Sequence, residues 1–191
     1  MENNNNVDFQ QLLDSTKKLT SFGPEQETTL IEAGPALKPY LAEVTGKFYD
    51  VLQSLPKAGP FLEGRVESLK ATHINWLESL FTGPFDVNFV KSMYHVGMVH
   101  VKVKLPVEFM QGAATLIMGE LVNVVSRVYS SDAQMQAKVL QAINSVIGFS
   151  VTIMQESYQA SSLVEELEKF LSITGMSRVL FNNLALAYES K

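Results

Sequence analysis

The chain has 191 residues, 46% of them hydrophobic and 18% charged, with a net charge of −5 and no cysteine. This suits one globular domain with a sizeable core, and it excludes wholesale disorder, disulfide bridges, cysteine-held iron–sulfur clusters and C-x-x-C-H attachment. An acidic balance with scattered lysines argues against a nucleic-acid partner.

Met1 to Asn6 is polar and lacks the basic and apolar regions of a secretion signal, so the default location is cytoplasmic. Residues 7–20 read as an amphipathic helix with Phe9, Leu12, Leu13 and Leu19 on its buried side, stopped by Phe22-Gly23-Pro24. A short second helix over 25–33 precedes the Gly34-Pro35 break. Pro39 falls in the first turn of a third helix, LKPYLAEVTGKFYDVLQSL, where a missing N–H costs little. Its apolar face is Leu41, Val44, Phe48, Leu52 and Leu55, with Tyr49 beside it. A fourth helix over 64–82 carries Val66, Leu69, His73, Trp76 and Leu80 at spacings of three and four, which sets His73 on the buried stripe.

Gly83-Pro84 separates this helix from the next, 86–105, which Asp86 can cap. Phe89, Met93, Val96, His100 and Val103 share one of its faces, an apolar stripe with an imidazole set into it. Gly97, one turn before His100, offers bare backbone for the close approach of a flat group. A sixth helix over 106–129 turns Phe109, Ala113, Leu116, Ile117 and Leu121 inward. The seventh, 132–158, aligns Val139, Ile143, Val146, Ile147, Val151 and Met154. Its longest apolar stretch, 146–154, is far shorter than the roughly 20 residues that span a bilayer, and it reads as a buried helix rather than a membrane segment. Residues 159–191 form a helical tail broken at Gly175. No stretch alternates with a period of two, so the chain is all-α.

The motifs of serine hydrolases, P-loop and dinucleotide-binding proteins and zincins are absent. His95 and His100 point about 140° apart on a helix, so they cannot clamp one zinc. The acidic side chains Glu43, Asp50, Glu63, Glu67 and Glu78 lie on polar faces, solvated and without an inward-facing pair, so no di-iron bundle is indicated.

Taken singly, His73 and His100 each fit a core histidine bonded to a carbonyl or hydroxyl. Together they occupy the apolar faces of two helices joined by one short break. Two ligands of one haem iron need facing nitrogens only about 4 Å apart, which antiparallel helices flanking a flat cofactor can provide. Without cysteine, such a haem is held non-covalently, as haem b. Phe48, Leu69 and Trp76 would line the His73 side of it, and Met93, Val96, Gly97 and Phe109 belong to the same candidate set.

The segments KFYDVL, LKATHINWLESLFTGPFD and VGMVHVKVKLPVEF, in that order, resemble the haem globin domain of globin-coupled sensors over 7–158. The resemblance implies a globin fold with an extra N-terminal helix and a C-terminal helical tail. It implies that His100 is the proximal haem ligand, that Tyr49 projects over the distal side to hydrogen-bond a diatomic ligand, and that Leu69 is a distal apolar residue. The family commonly lacks a ligating histidine at the position of His73, though some members have one. Its members dimerise through the two long helices that precede the tail. A homodimer is therefore expected here, with Met118, Val122, Val125 and Ile153 as candidate contacts and the tail as an extension.

The favoured function is a sensor of diatomic gas (O₂, CO or NO) or redox state that works by displacing a distal ligand, hexacoordinate at rest. It is not itself an enzyme and signals through a separate partner or a longer protein. The alternatives are a haem enzyme such as a nitric oxide dioxygenase, and a haem-free helical interaction module in stress signalling.

Overall fold

The structure, a computed structural model, describes residues 7–189; the reading of Met1–Asn6 and the last two residues of the tail lie outside them. The described residues form nine α-helices: α1 (Phe9–Leu19), α2 (Pro24–Leu37), α3 (Leu41–Ser54), α4 (Gly59–Leu62), α5 (Val66–Ser79), α6 (Val87–Lys102), α7 (Val107–Val128), α8 (Ala133–Thr174) and α9 (Arg178–Glu189). Local chemistry sets several of the starts. Asp8, Asp86 and Asp132 accept hydrogen bonds from the first free amides of α1, α6 and α8.

α8 is the central element, in contact with α1, α2, α6 and α7, while α3 packs on α5 and α7. Phe22, Phe85, Phe89 and Phe149 form an aromatic knot that fastens the α1–α2 corner and α6 to α8. By length and composition α7 and α8 could cross a membrane, but over half of the apolar window of α8 is buried in this core. On the surface, Lys47 pairs with Glu43 and Glu120, each at 3.0 Å, and Arg127 with Glu43 at 2.8 Å, so Glu43, still solvent-accessible, also ties α3 to α7. Glu78 is likewise paired, with Lys38 at 3.2 Å.

Several boundaries differ from expectation for physical reasons. Gly34-Pro35 does not end α2. Proline costs the helix one hydrogen bond, but Leu30, Ala33 and Leu37 are fully buried, and a Cβ on Gly34 would lie 2.9 Å from the Phe81 carbonyl oxygen, so packing carries the helix through. Pro39 lies in a 3₁₀ turn, Lys38–Tyr40, ahead of α3. The seventh helix of the sequence reading does not stop at Tyr158. Neither glycine nor proline occurs between there and Gly175, and α8 runs on to Thr174, where Gly175 takes the left-handed conformation (φ 68°). Leu19 is 75% exposed and Leu55, just past the end of α3, is 40% exposed; neither belongs to the core. Val125 and Ile153, expected on an outer face, are fully buried against neighbouring helices.

Candidate haem pocket

Helices α3 to α8 line a cavity of about 250 Å³ that is open to water on one side. Its wall is almost entirely apolar: Phe48 and Leu52 from α3, Leu69 and Trp76 from α5, Val96 from α6, Phe109, Ala113 and Ile117 from α7, Val151 and Met154 from α8. Two imidazoles, one phenol, one hydroxyl and one guanidinium (His73, His100, Tyr49, Thr72 and Arg65) interrupt it.

His73 reaches the cavity because α5 carries it four residues after Leu69 and three before Trp76. Its ring stacks on Phe48 at 4.9 Å between centroids, meets Trp76 at 5.3 Å and lies edge-on to Tyr49 at 5.9 Å. Nδ1 is 3.1 Å from the Thr45 hydroxyl, which fixes the ring's orientation, while Nε2 is buried without a partner. Burial lowers the pKa of this imidazole from 6.5 to about 4, so it is neutral at pH 7.

His100 occupies the last turn of α6. Its carbonyl accepts a hydrogen bond from Leu105 N at 3.0 Å, and the Leu105 carbonyl accepts one from the Tyr158 hydroxyl at 3.1 Å, so the α6–α7 corner is held to α8 directly beyond His100. Nδ1 of His100 is also buried without a partner, and burial again pushes its pKa down. Burial raises the pKa of the Tyr49 phenol to about 12, which keeps it a donor. The indole N–H of Trp76 is a further buried donor without a partner.

Eight of the ten site residues expected from the sequence line this one cavity: His100, His73, Tyr49, Phe48, Leu69, Trp76, Val96 and Phe109. Met93 and Gly97 do not. Met93 is buried on α6 away from the cavity wall. At Gly97 a Cβ would stand 2.5 Å from the Met154 carbonyl oxygen and against Ser157 Oγ, so the group that approaches the bare backbone there is α8. Sequence reasoning misses Thr45 and Arg65. Thr45 shares the inward face of α3 with Leu41 and Tyr49, four residues to either side, a signal the periodicity carries. Nothing in the local pattern marks Arg65.

A neutral nitrogen-donor pair with unsatisfied atoms, set in an apolar and aromatic wall, is a donor set that suits an iron porphyrin. The family model that matches the chain is that of Protoglobin, over residues 9–163. The chain belongs to the Protoglobin family. Family membership implies haem binding. Among solved structures, this Protoglobin chain is similar to the globin domain of a Geobacter sulfurreducens globin-coupled sensor, at TM-score 0.71 and 23% identity, covering 76% of this chain and 96% of that one. It is also similar to the globin domain of E. coli DosC in a ferric and a ferrous form, both at TM-score 0.62, with 23% and 22% identity, covering 76% of this chain and 99% of each of those. These likenesses establish the globin fold. A search of curated protein sequences gives no match.

Proposed function

We propose that this protoglobin is a haem b sensor in which His100 is the proximal ligand of the iron and His73 its resting distal ligand. The observation that carries the reading is the pair of buried, partnerless ring nitrogens, His73 Nε2 and His100 Nδ1, on two imidazoles of one apolar cavity. A buried polar atom without a partner costs on the order of 1–3 kcal/mol, and ligation of His73 removes that cost. When bound, haem iron supplies reversible binding of a diatomic gas and one-electron redox chemistry.

The protein's own part follows from its side chains. Thr45 orients the His73 ring, and Phe48 and Trp76 pack against it. With haem bound, a diatomic gas would compete with His73, and a change of redox state would alter how tightly His73 is held; withdrawal of His73 would move α5 relative to α3, a discrete local change of the kind signalling requires. Tyr49, protonated at every physiological pH, then donates a hydrogen bond to the incoming ligand. The segment 159–191 conveys the change to an output partner. We further propose a cytoplasmic homodimer with contact through the outer face of α7, at Met118 and Val122, extended by the tail. There Leu163, Ile173, Val179, Leu184 and Tyr188 are each more than half exposed.

Electronic and resonance Raman spectra of the ferric protein test the ligation. The wild type should be six-coordinate and low-spin, and His73→Leu should become high-spin or water-ligated. Identical spectra for the two would remove His73 from the coordination sphere.

A further inference from the structure

We propose that Arg65 anchors a carboxylate of the cavity's occupant, fixing which edge of a flat, anionic ligand faces solvent. The inference rests on the haem reading, in which the carboxylates are the two propionates. Arg65 is the one charged side chain among the cavity-lining residues described. It is exposed, whereas Phe48, Tyr49, Leu62, Met110 and Ile117 of the same wall are buried, so it marks an end at which the cavity meets water.

Surface arginines usually settle on an acidic neighbour, and two stand close in the chain, Glu63 and Glu67. Arg65 pairs with neither, and Glu67 pairs instead with Lys70 at 3.5 Å. The backbone beneath the side chain is fixed. Arg65 N donates to the Leu62 carbonyl at 3.0 Å, and the Arg65 carbonyl accepts from Leu69 N at 2.9 Å and Ser68 Oγ at 2.8 Å.

A free guanidinium on a fixed base, at the wet end of an apolar cavity, fits an occupant with a broad apolar body and an ionised carboxylate at its edge. The body is driven inward by burial of its apolar surface. The carboxylate cannot follow without losing its hydration, and it comes to rest where a planar donor fork can bind both of its oxygens. Lysine would supply charge there but not the fork.

The test compares iron protoporphyrin with its dimethyl ester, which keeps the ring and iron and loses the charges. The loaded full chain, wild type, Arg65→Gln and Arg65→Lys, is mixed with excess apomyoglobin, and the rate of porphyrin loss is followed by absorbance. Wild type should lose the free acid more slowly than the ester by roughly two- to fivefold, the range of a solvent-exposed charge pair. Arg65→Gln should lose both at one rate, and Arg65→Lys should keep part of the difference. Because the side chain is exposed, the variants should fold, which circular dichroism verifies. An unchanged ratio in Arg65→Gln overturns the anchor while leaving the haem reading intact. Failure of the wild type to take up either porphyrin overturns both.

Discussion

His73 and His100 differ from surface histidines in the cost of protonating them where they sit. For the haem-free chain this has a sign that can be worked out. Above pH 6.5 the His73 ring is neutral in both the folded and the unfolded chain, and its contribution to stability is flat. As pH falls from 6.5 towards 4, the unfolded chain binds a proton that the buried ring refuses, so stability is lost through that window. The loss levels off at about 3 kcal/mol once the folded ring also protonates. His73→Leu should lack this component. Urea unfolding midpoints measured at pH 7, 5.5 and 4 should therefore fall more steeply for the wild type than for the variant; parallel profiles would mean that His73 is not buried in the neutral form. The two imidazoles were legible in the sequence, because spacings of three and four place His73 in line with Leu69 and Trp76, and His100 in line with Val96 and Phe89. Thr45 and Arg65 were less so. Their roles depend on what another element brings opposite them, Thr45 meeting a ring from α5 and Arg65 meeting an end of the cavity.

At the level of elements, the chain breaks where local chemistry and packing agree: at Phe22-Gly23-Pro24, Gly83-Pro84, Pro106 and the Asp86 and Asp132 caps. Gly34-Pro35 is no stop because α2 is pressed into the core on that side. Tyr158 is no end because no residue there breaks a helix. Gly97 shows the limit of a local reading most clearly. The missing side chain does mark a close approach, yet periodicity cannot say what approaches, and α8 occupies the space. Gly97→Ala should overpack the α6–α8 crossing and cost about 1–3 kcal/mol, since the backbone carbonyl of Met154 cannot turn aside as a side chain would. Gly112→Ala, on an open face of α7 with nothing within 4 Å, should be neutral or stabilising by about 0.5–1 kcal/mol through helix propensity. Thermal or urea denaturation of the two variants checks the contrast, and equal effects would contradict the packing role assigned to Gly97.

For the whole molecule, the distribution of apolar surface is uneven. The globin body buries most of its own, including Val125 and Ile153, and leaves residues such as Met98 and Val122 partly exposed, whereas the second half of α8 and α9 leave Leu163, Ile173, Val179, Leu186 and Tyr188 more exposed still. The two halves of the tail touch through Phe170 and Phe181 and through the Glu168–Arg178 pair, which leaves most of that apolar surface uncovered. A homodimer that covers it is the expected state, and sedimentation equilibrium should return twice the chain mass of 21.2 kDa at micromolar concentration. A monomer mass independent of concentration would refute it.

The central claim, that one apolar cavity between α5 and α6 presents His100 to a haem iron, is tested most directly by titrating haem into the purified chain and into His100→Ala. The wild type should take up one haem per chain with a sharp Soret band, and the variant should lose most of its haem on gel filtration. Full retention by His100→Ala with unchanged axial ligation would contradict the account.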